Sequence, residues 1–187
     1  MSASNIALII IDVQKGFDEQ AHWGGERNNP QAESQISRIL EHFRAKNYPV
    51  FHIQHASTTP SSPLHPSNPG HELKDEVKPL EGEPILKKTV NSSFITTDLE
   101  ERLRAQNIQE LVITGLTTNH CVSTTTRMGA NLGFKVYLVS DATATFARVG
   151  VSGKKYDATT VHEMELSNLN GEFATIVTTE EVLNFVV

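Results

Sequence analysis

Ile6-Ala7-Leu8-Ile9-Ile10-Ile11 is an unbroken apolar run that ends in Asp12. A strand with one wet face alternates apolar and polar side chains. A continuous run marks a strand covered on both faces, as in parallel sheets packed between helices. We read Ile6 to Val13 as such a strand. Further strand-like runs stand at Val50 to His55, Pro84 to Lys88, Leu111 to Thr114, Lys135 to Ser140 and Phe173 to Val177. Helical patterns fill most of the gaps. Pro30 opens one, with Ile36, Ile39, Leu40 and Phe43 on a single face. Thr97 and Glu100 have capping-box spacing, with Leu99 and Leu103 inward. A helix from about His120 ends at Gly133, a natural residue just past a helix end. Tyr156 to Leu169 repeats Ala158, Val161 and Leu169 before Asn170-Gly171 stops it, and Thr178 with Glu181 caps the last helix. Strand alternating with helix implies right-handed crossovers and a parallel sheet. The expected fold is α/β: a three-layer α/β/α sandwich, Rossmann-like, on a six-stranded, mainly parallel sheet. At 187 residues the chain, 1–187, is expected to be one domain.

One segment breaks the rhythm. Residues 56–84 show no periodicity, and Pro60, Pro63, Pro66 and Pro69 recur every third residue. That spacing suits extended, polyproline-like chain. A long irregular insertion in a compact domain is usually functional or disordered. We expect an ordered loop over the active-site edge or across a subunit boundary, with a floppy excursion as the plain alternative.

Net charge and composition exclude several classes. A formal charge of -6 and the lack of a basic stripe argue against nucleic-acid and acidic-membrane partners. No apolar run approaches the ~20 residues needed to span a bilayer. No basic flank or signal-like segment precedes the first strand, and a single cysteine cannot form an internal disulfide. The cytoplasm is the default compartment, and a small molecule the expected partner. A dithiol redox protein is excluded by the cysteine count. A nucleotide-binding oxidoreductase would need a glycine-rich turn after the first strand, and Asp12 to Gly16 offers none.

The one cysteine, Cys121, stands where the run Leu111-Val112-Ile113 gives way at Gly115 to a helical pattern. That corner lies at the carboxyl edge of the sheet, where such folds bind ligands. It is also a helix start, which favours thiolate over thiol. Asp12 closes a wholly apolar strand, a costly place for a carboxylate without a partner. Lys88 heads Lys88-Thr89-Val90-Asn91-Ser92-Ser93-Phe94. Lys87 and Lys88 alternate across a strand, so only one faces any site.

Asp12-Val13-Gln14, Lys88 to Phe94 and Gly115 to Val122 fall in the order D-x-Q, K-x-x-x-S-x-F and G-x-x-T-x-x-C-V. In this they resemble the isochorismatase-like cysteine hydrolases, which include nicotinamidases and carbamoylsarcosine amidohydrolases. The resemblance runs from about Ile6 to the final helix, and it implies roles. Cys121 would be the nucleophile, Asp12 the general base and acid, and Lys88 the charge that stabilises the thiolate. The Leu116–Thr117 peptide would be cis, with the N–H groups of Thr117 and Cys121 forming an oxyanion hole. It also implies a dimer or tetramer of identical chains. The chemistry would be hydrolysis of an amide or carbamoyl-type C–N bond through a thioester. True isochorismatases cleave a vinyl ether, and several lack this cysteine, so Cys121 favours the amide. The alternatives are vinyl-ether hydrolysis and a catalytically silent binding subunit on the same fold.

No cofactor and no metal are expected. Metal-binding relatives carry D-x-H after the second strand, whereas this chain has His52-Ile53-Gln54-His55. His52 and His55 are three apart on a strand and face opposite sides. His65 and His71 in the proline-rich loop would need further convergent ligands. His120, adjacent to Cys121, points elsewhere and packs locally, and His162 reads as a structural histidine. Gln14 shares the face of Asp12 and would orient it or the substrate. Phe17 and Trp23, with the long loop and Thr143 to Tyr156, would set specificity. A strand order 3-2-1-4-5-6 separates the third strand from the first, so Lys88 must reach the site by its long stem or a bend.

Overall fold

The computed structural model describes residues 5–186. Six parallel strands form the sheet: β1 (Ile6–Ile11), β2 (Val50–His55), β3 (Ile85–Lys88), β4 (Glu110–Leu116), β5 (Lys135–Ala144) and, last in the sequence, β8 (Thr175–Val177). Their order is β3-β2-β1-β4-β5-β8, and every pairing is parallel. A two-stranded hairpin, β6 (Arg148–Val149) and β7 (Lys155–Tyr156), stands apart from it. The helices are α1 (Gln20–Trp23), α2 (Ala32–Ala45), α3 (Leu99–Ala105), α4 (Ser123–Asn131), α5 (Ala158–Leu169) and α6 (Thr179–Phe185). This is the three-layer α/β sandwich that the alternation of patterns implied.

The period-2 geometry of β1 explains its continuous apolar run. Ile6, Leu8 and Ile10 pack into one core with Ile36, Ile39, Leu40 and Phe43 of α2 and Val182 of α6. Ala7, Ile9 and Ile11 face the opposite core, with Leu99 and Leu103 of α3, Val122, and Leu166 and Leu169 of α5. With both faces dry, each buried isoleucine contributes on the order of 2–3 kcal/mol of transfer free energy. A polar residue in mid-strand has nowhere to go. The strand therefore ends where its first charged residue appears, and the site begins there.

Local differences from the sequence expectations have physical causes. The Thr97–Glu100 capping box is not made. Asp98 is the residue before α3 and caps nothing with its side chain, while the Thr97 hydroxyl donates to the Ser93 carbonyl at 2.5 Å. The Thr178–Glu181 box is complete. Helix α5 starts at Ala158 rather than Tyr156, because Asp157 caps it and Tyr156 pairs with Arg148 in the hairpin. Its buried face is Ala158, His162, Leu166 and Leu169, with Val161 only partly covered. Ahead of α4, Thr118–Val122 form a wide π-type turn.

The proline-rich segment is not extended. Ser62, His65, Asn68 and His71 each donate a backbone N–H to the carbonyl three residues earlier, on Thr59, Ser62, His65 and Asn68. Pro60, Pro63, Pro66 and Pro69 therefore occupy the second position of four successive β-turns, where a φ fixed near −65° is what the turn requires. The period of three belongs to stacked turns rather than to polyproline helix. The segment then returns along the carboxyl end of β1, through Lys15 N–H to Glu72 O and Lys74 N–H to Val13 O, both 2.9 Å. A charged knot holds it: Lys74 reaches Asp18 at 2.5 Å and Glu33 at 2.8 Å, and Arg27 grips the same Glu33.

Gly115 lets β4 lie against the end of β1. Its φ is +116°, and a Cβ there would come 2.0 Å from the Ile11 carbonyl oxygen. Both the left-handed backbone and the close approach demand glycine. Gly115→Ala is expected to cost about 2–4 kcal/mol in urea unfolding, through overlap and strain at one position. A loss below about 1 kcal/mol would contradict this packing.

Candidate active site

Asp12 follows β1 with φ of 52°, a left-handed conformation that Asp tolerates better than most residues. The turn carries its side chain into a fully buried position over the carboxyl edge. Lys88 ends β3, two strands away, with His55 of β2 opposite it in register. Along β3, Lys87 is exposed and Lys88 is fully buried. The Lys88 stem spans the intervening strand, and its Nζ donates to Asp12 Oδ2 at 2.6 Å. It also lies 3.2 Å from His55 Nδ1. The long side chain, and no bend in the strand, bridges the gap that the strand order imposes.

Cys121 sits in the π-type turn after β4, past the cis Leu116–Thr117 peptide. Its Sγ points to Asn91 Oδ1 at 3.8 Å. Ligand-type atoms of Asp12, His55 and Cys121 lie within 4.8 Å of one another. Asp12 Oδ2 belongs to Lys88, whereas Oδ1 is buried and has no hydrogen-bond partner among the described residues. A carboxylate oxygen within 4.8 Å of a thiol can accept its proton.

The electrostatics correct one expectation. A helix start and a nearby lysine were expected to depress the thiol pKa. Burial instead pushes Cys121 far up, the Asp12 charge adds to this, and Lys88 offsets only part of it. At neutral pH the sulfur holds its proton. Burial also works against the Lys88 ammonium, but the Asp12 carboxylate holds its pKa above the ordinary lysine value. His55 is pushed down by burial and then by the Lys88 charge, so it is a neutral acceptor toward Lys88. The resting centre is a thiol beside a carboxylate–ammonium pair.

Cys121 opens into a cavity of about 200 Å³ lined by Phe17, Trp23, His55, Leu64, Asn91 and Thr117, among others. Phe17 and Trp23 pack at 4.7 Å between ring centroids, and the Trp23 indole N–H donates to Gly16 O. Leu64 comes from the second of the four turns, so the proline-rich loop forms part of the wall. Asp12, Lys88, Cys121, Thr117, Phe17 and Trp23 are thus brought together. Gln14 is not among the lining residues. Fully buried, its amide donates to the His55 and His71 carbonyls at 3.1 and 2.8 Å and accepts from His55 N–H at 2.9 Å. It ties the loop to β2 rather than facing substrate.

Asp12, His55 and Cys121 also have the spacing of a metal site. They do not fit a divalent ion, because the Lys88 ammonium already lies against Asp12 and His55. His52, buried on the other side, is held by Glu83 at 2.9 Å. His65 bonds to Ser67, and His162 to Thr118.

Sequence reasoning missed His55 and Asn91 as neighbours of the sulfur. For His55 the available signal was its place at the end of the strand next to β1. For Asn91 it was the interval from Lys88 to Phe94, whose other members fold locally. Ser92 Oγ caps Phe94 N–H, and Phe94 packs on Phe134, which leaves Asn91 facing the site.

A buried thiol, a carboxylate and a lysine at the carboxyl edge of a parallel sheet define a cysteine-hydrolase type of centre. The isochorismatase domain profile matches residues 6–181, and the chain belongs to that family of hydrolases. It is 56% identical to the isochorismatase family protein YrdC of Bacillus subtilis (strain 168), over 95% of this chain and 94% of that one. A crystal structure of an isochorismatase-family protein from Chromobacterium violaceum superposes with a TM-score of 0.92 at 40% identity, covering 97% of this chain and 94% of the other. Ureidoacrylate amidohydrolase RutB of Stutzerimonas stutzeri (strain A1501) is 29% identical over 76% of this chain and 71% of its own. No helix among the described residues is long and apolar enough to cross a membrane.

The charge arrangement makes a test of opposite signs. In Asp12→Asn the carboxylate that raises the thiol pKa is gone, so the pH midpoint of iodoacetamide alkylation at Cys121 is expected to fall below the wild-type value. A midpoint that stays put or rises would show that Asp12 does not act on the sulfur.

Proposed function

We propose that the protein hydrolyses a C–N bond, of amide or carbamoyl type, in a small molecule through a thioester on Cys121. The observation that carries this reading is Asp12: Lys88 fixes its Oδ2, and a carboxylate oxygen of Asp12 lies within 4.8 Å of the Cys121 sulfur. Asp12 takes the Sγ proton as sulfur attacks the carbonyl carbon. The S–C bond forms, and the C=O electron pair moves to oxygen, held by the N–H groups of Thr117 and Cys121. Asp12 then gives the proton to the leaving nitrogen. The C–N bond breaks, amine departs and the thioester remains. A water molecule, losing its proton to Asp12, attacks the thioester; acid is released and the thiol regains its proton.

Because the resting sulfur is a thiol, the nucleophile forms only as Asp12 accepts the proton. Lys88 orients Asp12 through the bond to Oδ2, and His55 accepts from Lys88 on its far side. A thiol nucleophile suits acyl transfer better than vinyl-ether cleavage, which needs no covalent step at sulfur. The RutB relative is by name an amidohydrolase of a ureido compound, which agrees with that choice. The roughly 200 Å³ cavity limits the substrate to a small molecule with one apolar side against Phe17 and Trp23.

Ureido acids, N-carbamoyl amino acids and primary carboxamides form the first panel, with amine release and intact mass as readouts. Wild type is expected to show turnover and an acyl adduct on Cys121. Cys121→Ser is expected to lose the adduct, and Asp12→Asn to lose about 100- to 10,000-fold in kcat. Turnover surviving in Cys121→Ser, or a fully active Asp12→Asn, would sink the assignment.

A further inference from the structure

His162 is a buried titratable group that the proposed chemistry does not use. It lies on α5, and its Nδ1 is 2.9 Å from the hydroxyl of Thr118, in the π-type turn that carries Cys121. The Ser140 carbonyl, on β5, faces the other ring nitrogen. A carbonyl only accepts, so that nitrogen carries the ring hydrogen. In the neutral imidazole Nδ1 is then bare, and the Thr118 hydroxyl donates to it.

The turn depends on such ties. It is a single π-type turn with no side-chain cap of its own, so its shape is set by what grips it from outside. Thr118 is held by His162, Asn119 accepts from the Thr145 hydroxyl at 2.5 Å, and Ser123, just past the turn, donates to Glu165. Thr118 stands between Thr117 and Cys121, whose N–H groups hold the oxyanion in the proposed reaction. The tie through His162 is the one that a single proton on an imidazole reverses. Once protonated, Nδ1 is a donor and the hydroxyl must turn its hydrogen away. Thr118 is fully buried, and His162 is the one hydrogen-bond partner its side chain has among the described residues.

The charges around the ring leave this tie in command. Exposed Glu163, next on α5, favours protonation, but burial outweighs it and holds His162 below the ordinary histidine pKa. Asp141, beside Ser140, is taken by Thr179. Glu165 is taken by Ser123 and by Arg127 of α4. His120, on the turn, bonds to Thr117 and Arg148.

We propose that neutral His162 is the positioning residue for the nucleophile turn, and that one proton on its Nδ1 releases Thr118 and switches the site off in acid. This rests on the reading of Cys121 as the nucleophile.

Two variants that keep the local shape test it. Thr118→Val removes only the hydroxyl's part in the tie. His162→Gln offers an amide oxygen to Thr118 and an N–H to Ser140, and it does not titrate. In a nitrogen-15 NMR titration of the wild type from neutral to acid pH, the ring is expected to start neutral with Nδ1 bare. The backbone N–H signals of Thr117 and Cys121 should then move with the midpoint of the ring. In Thr118→Val the ring still titrates and those two signals no longer follow it. The ratio of iodoacetamide labelling rates at Cys121, His162→Gln over wild type, is expected to rise about 10-fold from neutral to acid pH, as a displaced sulfur allows. A ring that stays neutral down to acid unfolding overturns the switch. So do amide signals that ignore the ring in wild type, or that still follow it in Thr118→Val. A labelling ratio that is flat with pH overturns the switch alone and leaves the nucleophile standing. If Cys121 is labelled in neither protein at any pH, the nucleophile reading falls and takes the switch with it.

Discussion

The contact between Lys88 Nζ and Asp12 Oδ2, 2.6 Å long with both side chains fully buried, is what the rest of the site is arranged around. Taking two charges out of water costs several kcal/mol per ion before their attraction offsets it, and apolar residues of similar size often serve stability as well or better. Removing one partner alone leaves a buried unpaired charge, worth about 3–5 kcal/mol of destabilisation. Packing gives no reason for such a pair at this spot. Chemistry does, because the ammonium holds the carboxylate in place within reach of the thiol.

The surrounding architecture serves that contact. Strand β1 must be covered on both faces to exclude water up to Ile11, and Gly115 must lack a side chain for β4 to close on it. Gln14 spends its whole amide on the backbone of β2 and the loop. The four proline-led turns, with the segment anchored by Lys74 to Asp18 and Glu33, bring Leu64 over the cavity. Backbone φ values fixed in advance by proline lower the entropy lost in ordering such a loop.

Much of this was legible in the sequence. The six strands followed from apolar runs separated by helical periods, whereas their order, β3-β2-β1-β4-β5-β8, leaves no mark in any single run. Asp12 was visible as a carboxylate closing an apolar strand, Cys121 as the one thiol at a strand-to-helix corner, and Lys88 through the Ser92-Ser93-Phe94 motif that follows it. The proline series was misread, since a period of three fits both polyproline helix and stacked turns, and only the turn hydrogen bonds separate the two. The β6–β7 hairpin is two residues per strand, too short for any periodicity. The charge state of the sulfur was also hidden. Helix start and lysine are readable from the chain, but the burial that outweighs them comes from the loop and strands closing overhead.

The central claim is that the proton rests on Sγ and Asp12 removes it. The ultraviolet difference spectrum between wild type and Cys121→Ser, recorded at neutral pH, tests this most directly. The account predicts no thiolate band at neutral pH and one that grows in only under alkaline conditions. A thiolate band already present at neutral pH would mean that the proton has left before any substrate arrives, and Asp12 could not be the base that takes it.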